Sequence, residues 1–456
     1  MRKALLSTIS AFCAIPCASG QPGPAITSWL QNTTETGSYY MSGNSTAISN
    51  GILVNCQRVE YSSNWVYVHA TGVPSYPTGP FLDGNPSQAA DKQKLVRIPL
   101  NPVENTGTKT PTSLGAIGIF INGVSIFDYA DGGGWNHNTN SLCGGAGYQP
   151  CPPGATLYWR KDAVVAERHG FDCSKGHPAQ GEYHHHQNPS AFKLDLNVVS
   201  NICNLYDADG LYVIDSTQHS PLIGYAFDGF PVYGAYGYMN ADGTGGIARM
   251  KSGYQLRNIS QRTHHADGTD VPDGPAVNST YPLGLFREDY EFVAHPGEDD
   301  YLDIHNGRFC ITPEYPNGTY AYFATVDSNY NSAYPYVVGP TYYGSVTGGG
   351  VTSVSEPTTV YTPSLNTEEL SLRKPDIHVF PNPASDLIAI QVGSLVTTDM
   401  KVELTDLSGK RVSETKINKG QTIAYFDVQT VYEGIYLVRI SAPGFNETRK
   451  IVIRKD

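Results

Sequence analysis

Apolar residues in this chain come in short runs that are interrupted again and again. Trp65–Val68 and Leu95–Pro99 are rich in β-branched and aromatic residues, and turn-forming residues bound such runs. The 456 residues include 47 glycines and 31 prolines, and only 16% are charged. This pattern leaves no window for a long helix, so we expect a mainly β, loop-rich fold.

The first residues have the features of a secretory signal peptide. Met1–Leu6 begins with two basic residues and continues into a modest apolar run, and Ala18–Gly20 offers small residues for cleavage before Gln21. We therefore expect residues 1–20 to be a signal peptide. No other stretch is long and apolar enough to cross a bilayer, so we expect no transmembrane segment.

The cysteine count agrees with an exported protein. Cys13 and Cys17 lie in the expected signal peptide, and six cysteines follow it. An even number in an oxidising compartment favours disulfides, although sequence alone leaves fifteen pairings open. Cys143 with Cys151 is the best local pair, because it closes a loop rich in glycine and proline.

The formal net charge of -12 limits the possible partners. An acidic surface repels nucleic acid and anionic membranes at long range. It suits cations, including metal ions, or neutral ligands.

Composition divides the chain into a body, a linker and a tail. The body, residues 21–344, begins with an N-terminal extension and contains a predicted hairpin over Ile117–Phe127 around Asn122-Gly123. Residues 345–375 lack periodicity and are rich in Ser, Thr, Gly and Pro, which predicts a linker. Residues 376–456 contain runs of alternating polarity that predict a small Ig-like β-sandwich.

The tail carries an ordered set of motifs. They are Val379–Ala384, Leu404–Lys410, Gly434–Val438 and Lys450–Ile453. With these motifs the tail resembles the C-terminal sorting domain of the type IX secretion system of Bacteroidetes. The resemblance implies passage through the periplasm, recognition by the type IX machinery, and release or attachment at the outer-membrane surface.

The segment Gly181–Pro189 contains three adjacent histidines after a tyrosine. If it forms a strand, the period of two places His184 and His186 on one face and His185 on the other. Two imidazoles on one face can meet a single transition-metal ion, which then needs a further ligand from elsewhere.

The body resembles the YHYH-domain family, which is named for its Tyr-His-Tyr-His motif. The matching segments are Gly176–Pro178, Gly181–Pro189, His219–Gly234, Leu302–Phe309 and Thr312–Tyr320. His185 replaces the second tyrosine of the motif, while both histidines of the motif are present. The resemblance implies no particular reaction.

The candidate metal ligands are His184 and His186, completed by His177, His219 or a carboxylate such as Asp228. Neutral imidazoles suit zinc and copper, so the cofactor hypothesis is one ion of either metal. The alternative is that the histidines form a hydrogen-bonded polar core or an exposed tract.

Asp228 and Arg308 are the candidate catalytic residues. Asp228 could act as a ligand or base, but Asp228–Pro231 is also strong turn chemistry. Arg308 could bind an anionic substrate group, or pair internally with Asp303 or Glu314.

Two functions therefore stay open for this secreted or surface-attached protein. In the first, it binds a transition metal that supports hydrolytic or redox chemistry. In the second, it is a non-catalytic module that binds a small molecule, a glycan or a protein through its abundant tyrosines. Sequence does not decide whether it is an enzyme.

Overall fold

The structure is a computed structural model that describes residues 22–84, 87–145, 147–192, 202–206, 208, 210–363, 377–392, 399–407, 409–418, 421–442 and 445–455. The expected signal peptide, residues 1–20, lies outside the described residues. The chain divides into two compact units, Met1–Thr362 and Pro363–Asp456.

The fold is mainly β, as the sequence predicts, with 37% of residues in strands and 5% in helices. The strands of the first unit are β1 Thr36–Tyr39, β2 Ile48–Leu53, β3 Cys56–Tyr61, β4 Trp65–Ala70, β5 Lys94–Pro99, β6 Ala116–Phe120, β7 Ser125–Phe127, β8 Gly134–Asn136, β9 Ser141–Cys143, β10 Trp159–Arg160, β11 His177–Ala179, β12 Glu182–His185, β13 Leu222–Ala226, β14 Pro231–Tyr233, β15 Tyr236–Tyr238, β16 Ile247–Arg249, β17 Tyr254–Leu256, β18 Tyr290–Phe292, β19 Gly307–Cys310, β20 Thr319–Phe323, β21 Gly349–Gly350 and β22 Thr359–Tyr361.

The helices are short. They are α1 Pro24–Thr27, α2 Ala163–Ala166 and the 3-10 turns Tyr129–Asp131, Arg168–Gly170, Ile202–Asn204 and Arg287–Asp289. Within the described part of the chain, none of the helices has the length and apolarity needed to cross a bilayer.

An eight-stranded sheet forms the centre of the first unit. Its strand order is β11-β12-β7-β6-β13-β14-β20-β19. β12 runs parallel to β7 and β14 runs parallel to β20, whereas the other neighbouring strands are antiparallel. The histidine-bearing hairpin of β11 and β12 therefore lies at one edge of this sheet.

The predicted hairpin around Asn122-Gly123 is confirmed. β6 and β7 pair in antiparallel fashion, and Gly123 adopts φ +79° in the turn. A Cβ at this position would also lie 2.4 Å from the Cβ of Ala70. Only glycine satisfies both requirements.

A five-stranded sheet, ordered β21-β5-β4-β3-β22, packs against the central sheet. Val66 and Ile98 of this sheet share one apolar cluster with Ile119, Tyr225 and Phe323 of the central sheet. A second cluster covers the other side and includes Phe120, Ile126 and Tyr183. The central sheet is thus buried on both faces and provides a rigid support for its edge.

Part of the expected linker, residues 345–375, belongs to the first unit. β21 pairs with β5, and β22 pairs with β3 as an edge strand. Composition missed these strands because backbone pairing at a sheet edge needs no apolar periodicity in the added strand. Residues 364–376 lie outside the described part of the chain.

The second unit is a two-layer sandwich, as predicted. Its strands are β23 Ile377–Phe380, β24 Leu387–Val392, β25 Met400–Asp406, β26 Arg411–Ile417, β27 Ile423–Asp427, β28 Gly434–Ala442 and β29 Phe445–Ile453. They form sheets ordered β23-β24-β27 and β26-β25-β28-β29. Ile390 and Phe426 of the first sheet meet Leu404 and Val438 of the second in one buried core.

Two disulfides lie in the first unit. Cys143–Cys151 confirms the local prediction, and Cys173–Cys203 is the second pair. Cys56 and Cys310 are buried free thiols. An even count of cysteines therefore overstated the pairing, because a small apolar thiol is equally suited to a core.

Candidate metal centre

The β11–β12 hairpin brings two histidines face to face. His177 and His184 are directly opposed residues of the antiparallel pair. His184 is also opposed to Ser125 on β7, so the sheet fixes its position from both sides. His186 follows the last residue of β12 and turns back toward the same point.

The Nε2 atoms of three histidines converge at this point. Nε2 of His186 lies 3.2 Å from Nε2 of His184 and 3.4 Å from Nε2 of His177. One ligand atom from each of these three residues lies within 4.8 Å of the others. All three side chains are buried, with 7% of His177 exposed and 2% of His184 and His186.

Backbone carbonyls set the orientation of two of the rings. The Nδ1–H of His184 donates to the carbonyl of Glu182 at 2.9 Å, and that of His186 donates to the carbonyl of Asp128 at 2.8 Å. A proton held on Nδ1 leaves the Nε2 lone pair free. Such an orienting bond is the usual outer support of a metal-bound histidine.

Glu167 adds a carboxylate to the same point. It directly follows α2, and its Oε2 lies 3.3 Å from Nε2 of His177 and 3.6 Å from Nε2 of His186. No feature of the sequence marked Glu167 as a candidate ligand. It lies ten positions before His177, and no local spacing links a carboxylate that follows a short helix to a hairpin elsewhere.

Burial and mutual charge set the protonation of the cluster. Burial, with the neighbouring His186, lowers the pKa of His177 to about 4 and holds the pKa of His184 well below its usual range. Burial opposes the charge on His186 as well, but the hydrogen bond and charge of Glu167 outweigh it and raise its pKa. Burial also opposes the charge on Glu167, yet His186 lowers its pKa. At neutral pH, therefore, His177 and His184 are neutral and Glu167 is ionised, whereas Glu167 favours the protonated form of His186 until a metal ion takes the place of that proton.

Two phenylalanines limit the freedom of the rings. Phe127 stacks on His184 with ring centroids 3.9 Å apart, and Phe171 contacts His177 edge-on at 4.8 Å. Packing of this kind keeps ligand side chains in place before any ion binds.

His185 lies on the opposite face of β12, as the period of two predicts. Its Nε2 shares a hydrogen bond of 2.7 Å with the Tyr76 hydroxyl, and its ring contacts Phe120 edge-on. It is completely buried, which makes it a core residue.

The structure does not bring His219 to the cluster. The Nδ1–H of His219 donates to the carbonyl of Ser220, and its ring packs on Tyr233 and Tyr238. It precedes β13, and β7 and β6 separate β13 from β12 in the sheet. Its place in the metal set predicted from sequence is therefore corrected, because three strand spacings of about 4.8 Å keep the two regions apart.

Asp228 lies in a turn, where it is fully buried. Its Oδ2 accepts hydrogen bonds from the Tyr322 hydroxyl at 2.6 Å and from the Gly344 N–H at 2.8 Å. The structure therefore supports the turn interpretation over a catalytic one. Burial raises the pKa of this carboxyl to about 6.

Arg308 connects β19 to two neighbouring segments, the end of β15 and the loop that contains Asp299. Its guanidinium donates to the backbone carbonyls of Tyr238, Met239 and Asp299. It pairs with neither Asp303 nor Glu314 through any bond found among the described residues. It lies on β19, at the opposite edge of the central sheet from the histidines, so it cannot serve a substrate at the cluster.

Each of the two units matches a known protein family. The family described as YHYH protein matches residues 95–335, and the family described as secretion system C-terminal sorting domain matches residues 378–454. Curated proteins contain no significant match. The chain is also similar to a solved DUF3244 family protein from Bacteroides vulgatus with an immunoglobulin-like β-sandwich fold. The two are 22% identical, with a TM-score of 0.15, and the match covers 17% of this chain and 82% of that chain.

Proposed function

The chain belongs to the YHYH protein family, and we propose that it is an exported protein that holds one zinc ion through His177, His184, His186 and Glu167. The spacing of the four donor atoms carries this proposal. Atoms bound at about 2.0–2.1 Å around a tetrahedral ion lie about 3.3–3.4 Å apart. Four of the six separations within this set are 3.2, 3.4, 3.3 and 3.6 Å, and the three histidine donors all lie within 4.8 Å of one another.

We name zinc, one of the two metals that the sequence left open, because three imidazoles with one carboxylate match the donor types that zinc accepts.

Glu167 is the ligand whose departure would open the ion to a substrate. Its side chain is 11% exposed, against 9% for His177 and 1% for His186. It also follows a helix of only four residues, whereas His177 and His184 are held in a sheet. Zinc with one open position supplies an activated water, so hydrolysis is the reaction class that this centre would support.

The second unit provides the export signal. A C-terminal sorting domain indicates export to the cell surface or the medium. We propose that the type IX machinery recognises this unit after the chain reaches the periplasm, and that its removal releases the body or leaves it at the surface. The two disulfides suit that oxidising route.

Elemental analysis of the full chain tests the metal centre. The protein is purified without a histidine tag from an oxidising compartment and is dialysed before measurement. We expect about one equivalent of zinc per chain, and its loss in the double variant His184→Ala/His186→Ala. The matched control is His219→Ala, which should retain the full equivalent.

Two results would overturn the proposal. One is a folded wild-type chain without bound metal after zinc has been supplied. The other is a double variant that keeps its metal while His219→Ala loses it. The first result would make the histidines a structural core and favour a non-catalytic binding module, and the second would place the metal at His219.

A further inference from the structure

A cleft lies beside the proposed metal centre. Its volume is about 480 Å³, and its walls come from β9, α2, the loop closed by Cys143–Cys151 and the loop around Tyr281. Leu142, Val165, Tyr281 and Leu285 make most of the lining apolar. Ala166 also lines it, and the next residue is Glu167.

The ammonium of Lys161 is the charged group of this cleft. Only 2% of Lys161 is exposed, and its Nζ lies 4.0 Å from the centroid of the Tyr148 ring. Across the described chain, Nζ of Lys161 has no hydrogen-bond acceptor and no ion pair. The aromatic ring offsets part of the cost of burial, and the ammonium faces the open cleft that Lys161 lines, where its donors are available to a ligand or to water.

Among the described residues, no carboxylate lies within ion-pair distance of Nζ of Lys161, although the chain carries a net charge of -12. A partly shielded ammonium without such a partner is available to an anionic ligand in the cleft. The Glu167 carboxylate is close enough to raise the pKa of Lys161, which burial lowers.

We propose that the cleft binds a small organic carboxylate, with the anionic group on Lys161 and the apolar body against Leu142, Tyr281 and Leu285. Binding itself would stand without the metal centre. A further step is that this carboxylate is the substrate or product of a reaction at the zinc ion. This step rests on the proposed function and on the sequence adjacency of Ala166 and Glu167.

Calorimetric titration of the full chain with benzoate tests the site. Benzoate combines a carboxylate with an apolar ring, and benzamide is its neutral analogue of nearly equal shape. We expect saturable benzoate binding to the wild type, binding at least tenfold weaker to Lys161→Met, and benzamide binding at least tenfold weaker than benzoate to the wild type.

Lys251→Met is the matched control. Lys251 also lies over a tyrosine ring, at 4.7 Å from the centroid of Tyr301, but it is paired with Asp300 at 2.6 Å. It lies outside the cleft, so its replacement should leave benzoate binding unchanged. The thermal midpoint of Lys161→Met should stay close to that of the wild type, because Met keeps the aliphatic contacts of the side chain and no ion pair among the described residues is lost. A purely structural Lys161 would instead lower it.

Zinc content, measured on the same preparations, separates this inference from the metal centre. Lys161-dependent benzoate binding in a folded chain that binds no zinc after zinc has been supplied would refute the metal centre and support the anion cleft. Zinc bound at full occupancy with equal benzoate affinity in wild type and Lys161→Met would refute the cleft. Benzoate binding that is lost in His184→Ala/His186→Ala but kept in Lys161→Met would mean that the carboxylate binds the zinc ion and not Lys161. Absence of benzoate binding to the folded wild type would also overturn the proposed carboxylate site.

Discussion

At the scale of single residues, three adjacent histidines have two different roles. His184 and His186 donate through Nδ1 to backbone carbonyls and present Nε2 to a common point. His185, between them, is bonded to Tyr76 in the core. The difference arises from strand geometry, since successive side chains point to opposite faces of a sheet. The three histidines therefore comprise two candidate ligands, His184 and His186, separated by the core residue His185.

Glu167→Gln tests the role of the carboxylate. A neutral amide is a much weaker zinc ligand, so zinc affinity should fall about 100-fold, or about 2.7 kcal/mol. Competition with a chromophoric chelator measures the affinity. Glu288→Gln is a suitable control, because Glu288 pairs with Arg287 away from the cluster. Equal zinc affinity in wild type and Glu167→Gln would remove Glu167 from the ligand set.

Asp228→Asn tests the structural role of the other predicted carboxylate. Burial raises its pKa to about 6 in the folded chain, above roughly 3.9 in the unfolded chain. The stability contributed by the protonated group is therefore complete below about pH 4 and is lost as the pH rises to 6, by about 3 kcal/mol. Urea unfolding at a series of pH values should show that the stability of the wild type falls over this interval relative to the variant. A difference in stability between wild type and Asp228→Asn that does not change with pH would contradict the raised pKa of Asp228.

At the scale of elements, the site joins an edge hairpin to a short helix. β11 is the edge strand of the central sheet, and among the described residues no further strand pairs with its outer side. The disulfide Cys173–Cys203 ties down the chain four residues before His177. Phe171, just before this disulfide, packs on His177. The disulfide therefore supports His177, which lies on the edge strand of the sheet.

Removing this disulfide should weaken both stability and zinc binding. In the loop-entropy account, Cys173→Ser/Cys203→Ser loses about 3–4 kcal/mol of stability. Its zinc affinity should also fall, because His177 is less well positioned. The control is Cys143→Ser/Cys151→Ser, which opens a shorter loop and should keep full zinc affinity. Identical zinc affinities for the two variants would show that the Cys173–Cys203 disulfide does not position His177 for zinc binding.

At the scale of the whole molecule, the two units have separate cores and separate tasks. The first unit contains the cluster and the cleft, and the second matches a sorting domain. The boundary follows β22, which pairs with β3. Glu356, just before β22, accepts a hydrogen bond from the hydroxyl of Tyr67 at 2.7 Å. The end of the first unit is therefore structural and is not part of a linker.

Two truncations compare this boundary with the one that composition predicts. A chain ending at residue 362 should fold with its zinc, while a chain ending at residue 344 loses β21 and β22 and exposes both edges of the five-stranded sheet. We expect its thermal midpoint to be lower by about 5 °C or more, on the scale at which 1 kcal/mol moves such a midpoint by a few degrees. Circular dichroism measures both midpoints. Equal thermal midpoints for the two truncated chains would mean that residues 345–362 are part of a linker.

The amino-acid sequence by itself determined the features that depend on neighbouring residues. The mainly β fold, the Asn122-Gly123 hairpin, the sandwich tail, the Cys143–Cys151 pair and the opposite facing of His185 all follow from local periodicity and turn chemistry. Only the tertiary structure decided which distant groups meet. Strand order brings His177 to the cluster and keeps His219 away, α2 adds Glu167, and Asp228 and Arg308 become structural. The reason is physical: contacts between segments far apart in the chain depend on how the strands pack, and a local pattern carries no record of that packing.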